Sequence, residues 1–397
     1  MTSTFSWLDH SEEARRRAVE TINLFSERET RDELGLAPLR DGFAGVFSPG
    51  TSTIQTRAKY FLLIPWLYQH IADQHSSQPA RKRMRTGELA LIEALIAGDD
   101  HNGLIGREAR GSLKRTPSET YWEGLRSWGI RSLPIAQAAY ADWIDRGIAT
   151  IEDTSEEGEP VHGVWHAGLP PAPDGFPDQV SLTLDAGQAD YLVERIVKRW
   201  PQSLLAWLLN DTAPVNNIPF PWLHPGLERM PDSIQRDLHH ARCFSEVLHG
   251  AQLLYNLALW RMRAVDDGEQ EAQWTARISA WERDIALRAK ELDAWDLDTF
   301  WDVVDDIGAR PRLATERFCC AWIEHIRTGV GSGGIAASPN CTHHVRQQEI
   351  EVKRGQARFE NRSLLAAWGG DSGSVPLNYR WFITRAFVTE IREACGA

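Results

Sequence analysis

The stretch GTSTIQTRAKYFLLIPWLY, residues 50–68, is the part of the sequence from which the fold is easiest to predict. It opens with a glycine and hydroxyl residues and then becomes apolar on every side, which is typical of a buried helix. Arg57, Lys59 and Pro65 interrupt the apolar run, so the stretch is expected to be a core helix rather than a membrane span. The sequence therefore predicts a mainly α fold, with this helix in its core.

The start of this predicted helix carries cations where the first turn of a helix normally favours acids. A helix N-terminus presents free N–H groups and a partial positive charge. Thr51 and Ser52 are placed to cap N–H groups, and Arg57 and Lys59 would add positive charge, so the segment is a candidate site for an anion such as phosphate. The alternative is structural, with Arg57 paired to an acid of the preceding segment. Two acids are candidates for that pairing: Asp32 and Asp41.

A second group of basic residues lies between residues 79 and 131, where ten Lys and Arg outnumber seven Asp and Glu. A turn near Gly106, followed by a helix that begins at Pro117, is typical of a helix-turn-helix or winged-helix module. The alternative is a structural module in which Trp122 and Trp128 fill a core. The candidate phosphate-binding residues of this region are Arg81, Lys82, Arg83, Arg107, Arg110, Lys114 and Arg115.

The rest of the chain also reads as helical. An amphipathic helix is expected over residues 11–28, and the longest helix is expected over 232–263. Between them, residues 150–178 are rich in acids, Pro and Gly, which is typical of a linker or a long surface loop. The sequence therefore predicts two helical domains, 1–150 and 181–397, joined by a segment at 151–180.

The long helix places three polar residues on one face: His239, Glu246 and His249. A helical His and Glu can act as acid and base, so these residues are the candidates for catalysis or metal binding in a hydrolase or a metal-dependent nuclease. The structural alternative is an ion pair between Arg242 and Glu246 with flanking histidines. The acids at 298–306 form a second candidate cation site, or alternatively a solvated face that receives a basic partner.

Composition narrows the classes of protein. The net charge of −12 argues against a generally basic nucleic-acid-binding surface, although it allows a local basic one. The sequence contains no P-loop, G-x-S-x-G, H-E-x-x-H or paired-cysteine motif, so no cofactor and no metal is expected. Five cysteines without regular spacing are expected to be reduced, buried thiols of a cytoplasmic protein. The polar N-terminus predicts no signal peptide, and no apolar run reaches membrane length.

Several short segments resemble one known family. Besides the stretch at 50–68, with the proline before it, they are FSWL at 5–8, TRDELG at 30–35, RTPSETYW at 115–122 and LNYRW at 377–381. Together they resemble an uncharacterised bacterial family, a domain of unknown function. The resemblance implies a phage-defence setting, with helicases and DNA methyltransferases encoded nearby. It implies no catalytic residues.

Three hypotheses follow from these observations. The first is a non-catalytic subunit of a bacterial DNA-processing or phage-defence assembly, which binds nucleic acid, a protein partner or both. The second is a metal-dependent nuclease or another hydrolase that uses the histidine and glutamate face. The third is a protein scaffold.

Overall fold

The computed structural model describes residues 32–98, 101–147, 152–154, 160–263, 268–329 and 333–396. Within these ranges the chain forms sixteen α-helices and one pair of short strands. The predicted mainly α fold is therefore confirmed. The helix predicted over 11–28 lies outside the described residues.

The helices follow in chain order. They are α1 (Ala37–Phe47), α2 (Tyr60–Asp73), α3 (Ala80–Ala97), α4 (Pro117–Ser127), α5 (Gln137–Asp145), α6 (Ala186–Arg199), α7 (Leu204–Asn210), α8 (Asp232–Met262), α9 (Gly268–Leu287), α10 (Ala289–Asp293), α11 (Leu297–Asp306), α12 (Leu313–Thr328), α13 (Gly334–Ala337), α14 (Pro339–Lys353), α15 (Arg362–Ala366) and α16 (Trp381–Cys395). Short 3-10 helices lie at Arg110–Ser112, Pro221–Leu223, Leu227–Arg229 and Arg354–Gln356. Strands β1 (Glu152–Thr154) and β2 (Pro160–His162) pair in antiparallel register, with Asp153 opposite Val161.

Contacts divide the chain into two units, each built from two separate segments. Unit 1 comprises residues 1–40 and 240–377, and unit 2 comprises residues 41–239 and 378–397. Grouping by contacts does not report which segments fold independently, so the division into 1–150, 151–180 and 181–397 stays a prediction.

The core of unit 2 is built around α2. Residues 60–68 are all buried, as their uniformly apolar sequence predicted. The ring of Phe61 stacks on Trp128 with centroids 3.7 Å apart, and it meets Phe387 of α16 edge-on at 6.0 Å. Close packing against α4 depends on Gly124, where an added Cβ would lie 2.5 Å from the carbonyl oxygen of Gly50. The quoted stretch therefore packs against both α4 and the last helix of the chain.

The core of unit 1 is built around the part of α8 that follows residue 240. The indole N–H groups of Trp281 and Trp322 donate to backbone carbonyls of α8 at 2.7 and 3.0 Å. Gly250 permits the approach of Trp281, because an added Cβ would lie 2.3 Å from its ring. Deeper in the unit, the buried carboxylate of Glu349 accepts hydrogen bonds from the Tyr255 hydroxyl and from two backbone N–H groups. The large side chains of Trp281, Trp322 and Tyr255 thus reach the core with their polar atoms satisfied.

Indole groups bind the irregular segment after β2 to the rest of unit 2. Trp165 donates to the hydroxyl of Tyr140 at 3.0 Å, and Trp66 donates to the carbonyl of Pro170 at 2.7 Å. These bonds hold the segment against α2 and α5, and the stretch predicted as a linker or loop at 150–178 also contains the paired strands β1 and β2.

The cysteines are free thiols, but Cys320 is half-buried and Cys395 is exposed, so the prediction that all five are buried is wrong at those two positions. Within the described residues, no helix combines the length and the apolar character that crossing a bilayer requires.

Candidate nucleic-acid interface

The segment at 48–59 does not form the helix start that the sequence suggested. Helix α2 begins at Tyr60, and the residues before it form turns. The hydroxyl of Thr51 donates to the carbonyl of Ser48 at 2.6 Å, and the backbone N–H of Ser52 donates to the side chain of Gln55 at 3.0 Å. Because these groups close turns, the expectation that Thr51 and Ser52 cap the helix is wrong.

Arg57 forms hydrogen bonds and an ion pair with groups of unit 2. Its guanidinium donates to the carbonyls of Asn102 at 2.9 Å and Leu182 at 3.2 Å, and its Nε lies 3.3 Å from the carboxylate of Glu390. The predicted pairing with Asp32 or Asp41 is therefore wrong, since the acid comes from α16. Asp41 pairs with Arg380 instead, at 3.2 Å.

Lys59 also forms hydrogen bonds with groups of unit 2. Its ammonium donates to the carbonyl of Thr183 at 2.9 Å and to the side-chain oxygen of Gln188. Burial lowers the pKa of Lys59 to about 8, against the opposing attraction of Asp185 and Glu390. Burial also raises the pKa of Glu390, while the Arg57 charge acts to lower it. Arg57 and Lys59 therefore join segments of the core, and this arrangement gives an anion little access to them.

The basic residues after α2 are arranged differently. Among the described residues between 79 and 131, five exposed cations form no ion pair with a carboxylate, and we call them the basic strip. They are Arg81, Lys82, Arg107, Lys114 and Arg115. Arg83 was predicted with them, but its guanidinium donates to carbonyls, including that of Ile71 at 2.6 Å. Arg110, also predicted, is exposed and pairs with Glu93 at 3.2 Å.

Contacts along α3 bring the basic strip together. Arg85 of α3 donates to the carbonyl of Leu113, next to Lys114 and Arg115, and lies one helical turn from Arg81. Toward the other end of α3, Glu93 pairs with Arg110. Gly106 lies against Ile92, where an added Cβ would be 3.0 Å from the side chain. The segment at 106–115 therefore lies along α3, with Lys114 and Arg115 near the end of α3 that carries Arg81 and Lys82.

Helix α4 does not have the surface of a DNA-recognition helix. Its Tyr121, Trp122 and Leu125 are buried, as the structural alternative expected. Two of its exposed side chains, Glu119 and Glu123, are acidic and would repel the phosphates that line a groove. The winged-helix interpretation therefore fails for α4, and the exposed cations lie on α3 and on the segment before α4.

A buried acid fixes α4 to α3 beneath the basic strip. Glu88 of α3 accepts hydrogen bonds from the backbone N–H and the hydroxyl of Ser118, at 2.9 and 2.7 Å, and from the hydroxyl of Tyr68 at 2.9 Å. Burial raises the pKa of Glu88, and these hydrogen bonds act to lower it. Glu88 is not among the residues predicted from the sequence. The available signal was an acid spaced by four and three residues from the apolar Met84 and Leu91.

The residues of the predicted catalytic face on α8 bind different partners. The carboxylate of Glu246 pairs with Arg242 at 2.9 Å and with Arg288, which lies between α9 and α10. The predicted pair of Arg242 with Glu246 is therefore present, and Arg288 adds to it. His239 is half-buried earlier on the same helix.

His249 takes part in a separate arrangement. Its Nε2 lies 3.1 Å from the carbonyl oxygen of Ser374, to which Arg277 also donates, at 2.7 Å. Burial lowers the pKa of His249 to about 4, and the charge of Arg277 acts in the same direction. Glu246 and His249 are therefore bound to different groups, and nothing in this geometry directs them to a common ion.

The second candidate cation site lies on α11. The four acids Asp298, Asp302, Asp305 and Asp306 are exposed, and Asp305 pairs with Arg310 at 3.1 Å. This arrangement matches the solvated-face interpretation, because exposed carboxylates spread along a short helix remain hydrated.

These observations define a mainly helical protein with an acidic overall charge and a local basic surface. The chain matches the model of a family described as a family of unknown function, DUF6361, over residues 2–395, and it belongs to that family. No curated protein and no solved structure gives a significant match.

Proposed function

We propose that the protein is a non-catalytic subunit of a bacterial DNA-processing or phage-defence assembly and that its basic strip binds the phosphate backbone of nucleic acid. The observation that carries the proposal is the contrast between two groups of cations. Groups of the core bind Arg57 and Lys59 through an ion pair and hydrogen bonds. Five other cations are exposed and have no carboxylate partner among the described residues: Arg81, Lys82, Arg107, Lys114 and Arg115. Exposed cations on ordered helix and loop segments are suited to phosphate contacts.

Binding through this strip would be weak and independent of base sequence. Helix α4 does not offer a groove-facing surface, so we expect the contacts of the strip to be to phosphates. Five cations correspond to a salt slope of about −4.5 on a double-logarithmic plot, at roughly 0.9 per neutralised phosphate of duplex DNA. Such contacts support an assembly in which another subunit, such as a helicase or a methyltransferase, supplies the chemistry and any sequence preference.

The test is fluorescence anisotropy of a labelled DNA duplex, titrated with protein at several KCl concentrations. The variant Arg107→Gln/Lys114→Gln/Arg115→Gln removes three charges from the strip. We expect it to weaken binding and to reduce the magnitude of the salt slope by about 2 to 3, since each lost phosphate contact contributes roughly 0.9.

A matched control removes the same charge elsewhere. Arg312, Arg317 and Arg362 are exposed in unit 1, and their triple change to Gln alters the net charge equally. We expect this control to bind with the wild-type slope. Equal losses in both triple variants, or no salt-dependent binding by the wild type, would reject the DNA part of the proposal and leave a protein scaffold as the better explanation.

A further inference from the structure

Unit 1 contains an apolar cavity that the nucleic-acid proposal does not use. Its volume is about 310 Å³, and its wall is formed by α8 to α10, α12 and α13, together with Trp295. Most of the wall is aliphatic or aromatic. Typical wall residues are Val247, Trp281, Ile285, Leu292, Trp295 and Ile323.

The size of the cavity indicates the size of a ligand. An apolar cavity of roughly 150 Å³ in another protein stays dry and binds benzene. At 310 Å³ this cavity has about twice that volume, which suits a group of two fused rings or a branched chain of similar size. The polar atoms of the two tryptophans are not available to a ligand, because Trp281 donates to the carbonyl of Glu246 and Trp295 donates to His240.

The charges in the wall indicate the charge of a ligand. The wall contains two carboxylates, Glu282 and Asp293, and one guanidinium, Arg327. Arg327 is held in place by its hydrogen bonds to the carbonyls of Leu292, at 3.0 Å, and Trp295. The two helices that supply these carboxylates, α9 and α10 at 268–293, carry six Asp and Glu against four Lys and Arg. The local field therefore favours a cation.

From the apolar wall, the volume and this excess of carboxylates, we propose that the cavity is a binding site for a hydrophobic organic cation, with two fused rings or a chain of similar volume and a positively charged amine. The apolar part would fill the cavity between the two tryptophans. The amine would lie near Asp293 or Glu282. The proposal is independent of the basic strip, which lies in unit 2.

The experiment uses three probes that share one ring system and differ in charge. They are tryptamine, 3-methylindole and indole-3-acetate, each titrated into the full-length protein by isothermal titration calorimetry at low ionic strength. We expect tryptamine to bind most tightly, about tenfold more tightly than indole-3-acetate, with 3-methylindole between them.

Two neighbouring residues provide a matched pair of variants. Ala286 belongs to the cavity wall, whereas Leu287 is 88% exposed and does not. Ala286→Trp should fill the cavity and abolish tryptamine binding, and Leu287→Trp should leave binding unchanged. Ala289→Trp, at another wall position, provides a second cavity-filling variant if Ala286→Trp lowers the thermal midpoint.

A second pair of variants tests the charge. Asp293→Asn should weaken tryptamine binding several-fold without weakening indole-3-acetate, and Asp284→Asn, at an exposed acid outside the wall, should do neither. The proposal is overturned if none of the three probes binds, if the three bind equally, if the anion binds more tightly, or if folded cavity-filling variants retain wild-type affinity for tryptamine.

Discussion

The buried His249 should make unit 1 sensitive to mild acid. The perturbation is His249→Gln, because a glutamine amide can still donate to the carbonyl of Ser374 but cannot gain a proton. The pKa of His249 is lowered from 6.5 to about 4, mainly by burial. Its surroundings include Arg277, which disfavours the protonated form, and Asp284, which favours it.

The sign and size of the effect follow from proton linkage. A group whose pKa is lower in the folded state contributes stability that is present above the unfolded pKa of 6.5 and lost as the pH falls toward 4. Near pH 5 the unfolded histidine is mostly protonated and the folded one mostly neutral. The difference lowers the free energy of unfolding by about 2 kcal/mol relative to neutral pH.

The assay is urea unfolding followed by circular dichroism at about pH 7 and about pH 5. We expect the loss of stability between these pH values to be smaller in His249→Gln than in the wild type by about 2 kcal/mol. His75→Gln, which removes an exposed imidazole in unit 2, is the control. Identical losses in the wild type and in His249→Gln would refute the reasoning and show that His249 does not remain neutral in the folded protein.

Three further predictions concern unit 2. Gly124→Ala should destabilise the protein by about 1 to 3 kcal/mol in urea unfolding, because its Cβ would meet the carbonyl of Gly50 at 2.5 Å, and an unchanged midpoint would contradict this. Glu88→Ala should cost about 3 kcal/mol, because it leaves the N–H of Ser118 and two hydroxyls without their acceptor, whereas the exposed Glu93→Ala should cost under about 1 kcal/mol in the same assay. Raising the pH from 8 to 9.5 should stabilise the wild type by roughly 1.5 kcal/mol through Lys59, whose pKa is lowered from 10.5 to about 8, and the same gain in Lys59→Met would count against this account.

The residues of the basic strip could be predicted only in part from the sequence. The cations could be listed from the sequence, but the sequence could not separate those that remain exposed from those that bind groups of the core. Arg83 and Arg107 look equivalent in the sequence, yet Arg83 donates to carbonyls while Arg107 remains exposed. That difference depends on which nearby backbone carbonyls lack another donor, and the folding of distant segments determines which carbonyls these are.

The sequence by itself determined the helical class and the bounds of the longest helix, predicted at 232–263 and observed at Asp232–Met262, because apolar periodicity and capping residues act within a few residues of chain. Asp185 and Ser203 are such capping residues, at the starts of α6 and α7. Only the tertiary structure decided the partners of Arg57 and Lys59, the late start of α2 and the use of α16 to complete unit 2. The physical reason is that a buried charge takes whichever counter-charge or carbonyl lies nearest in space, and Glu390 reaches Arg57 across more than three hundred residues of chain.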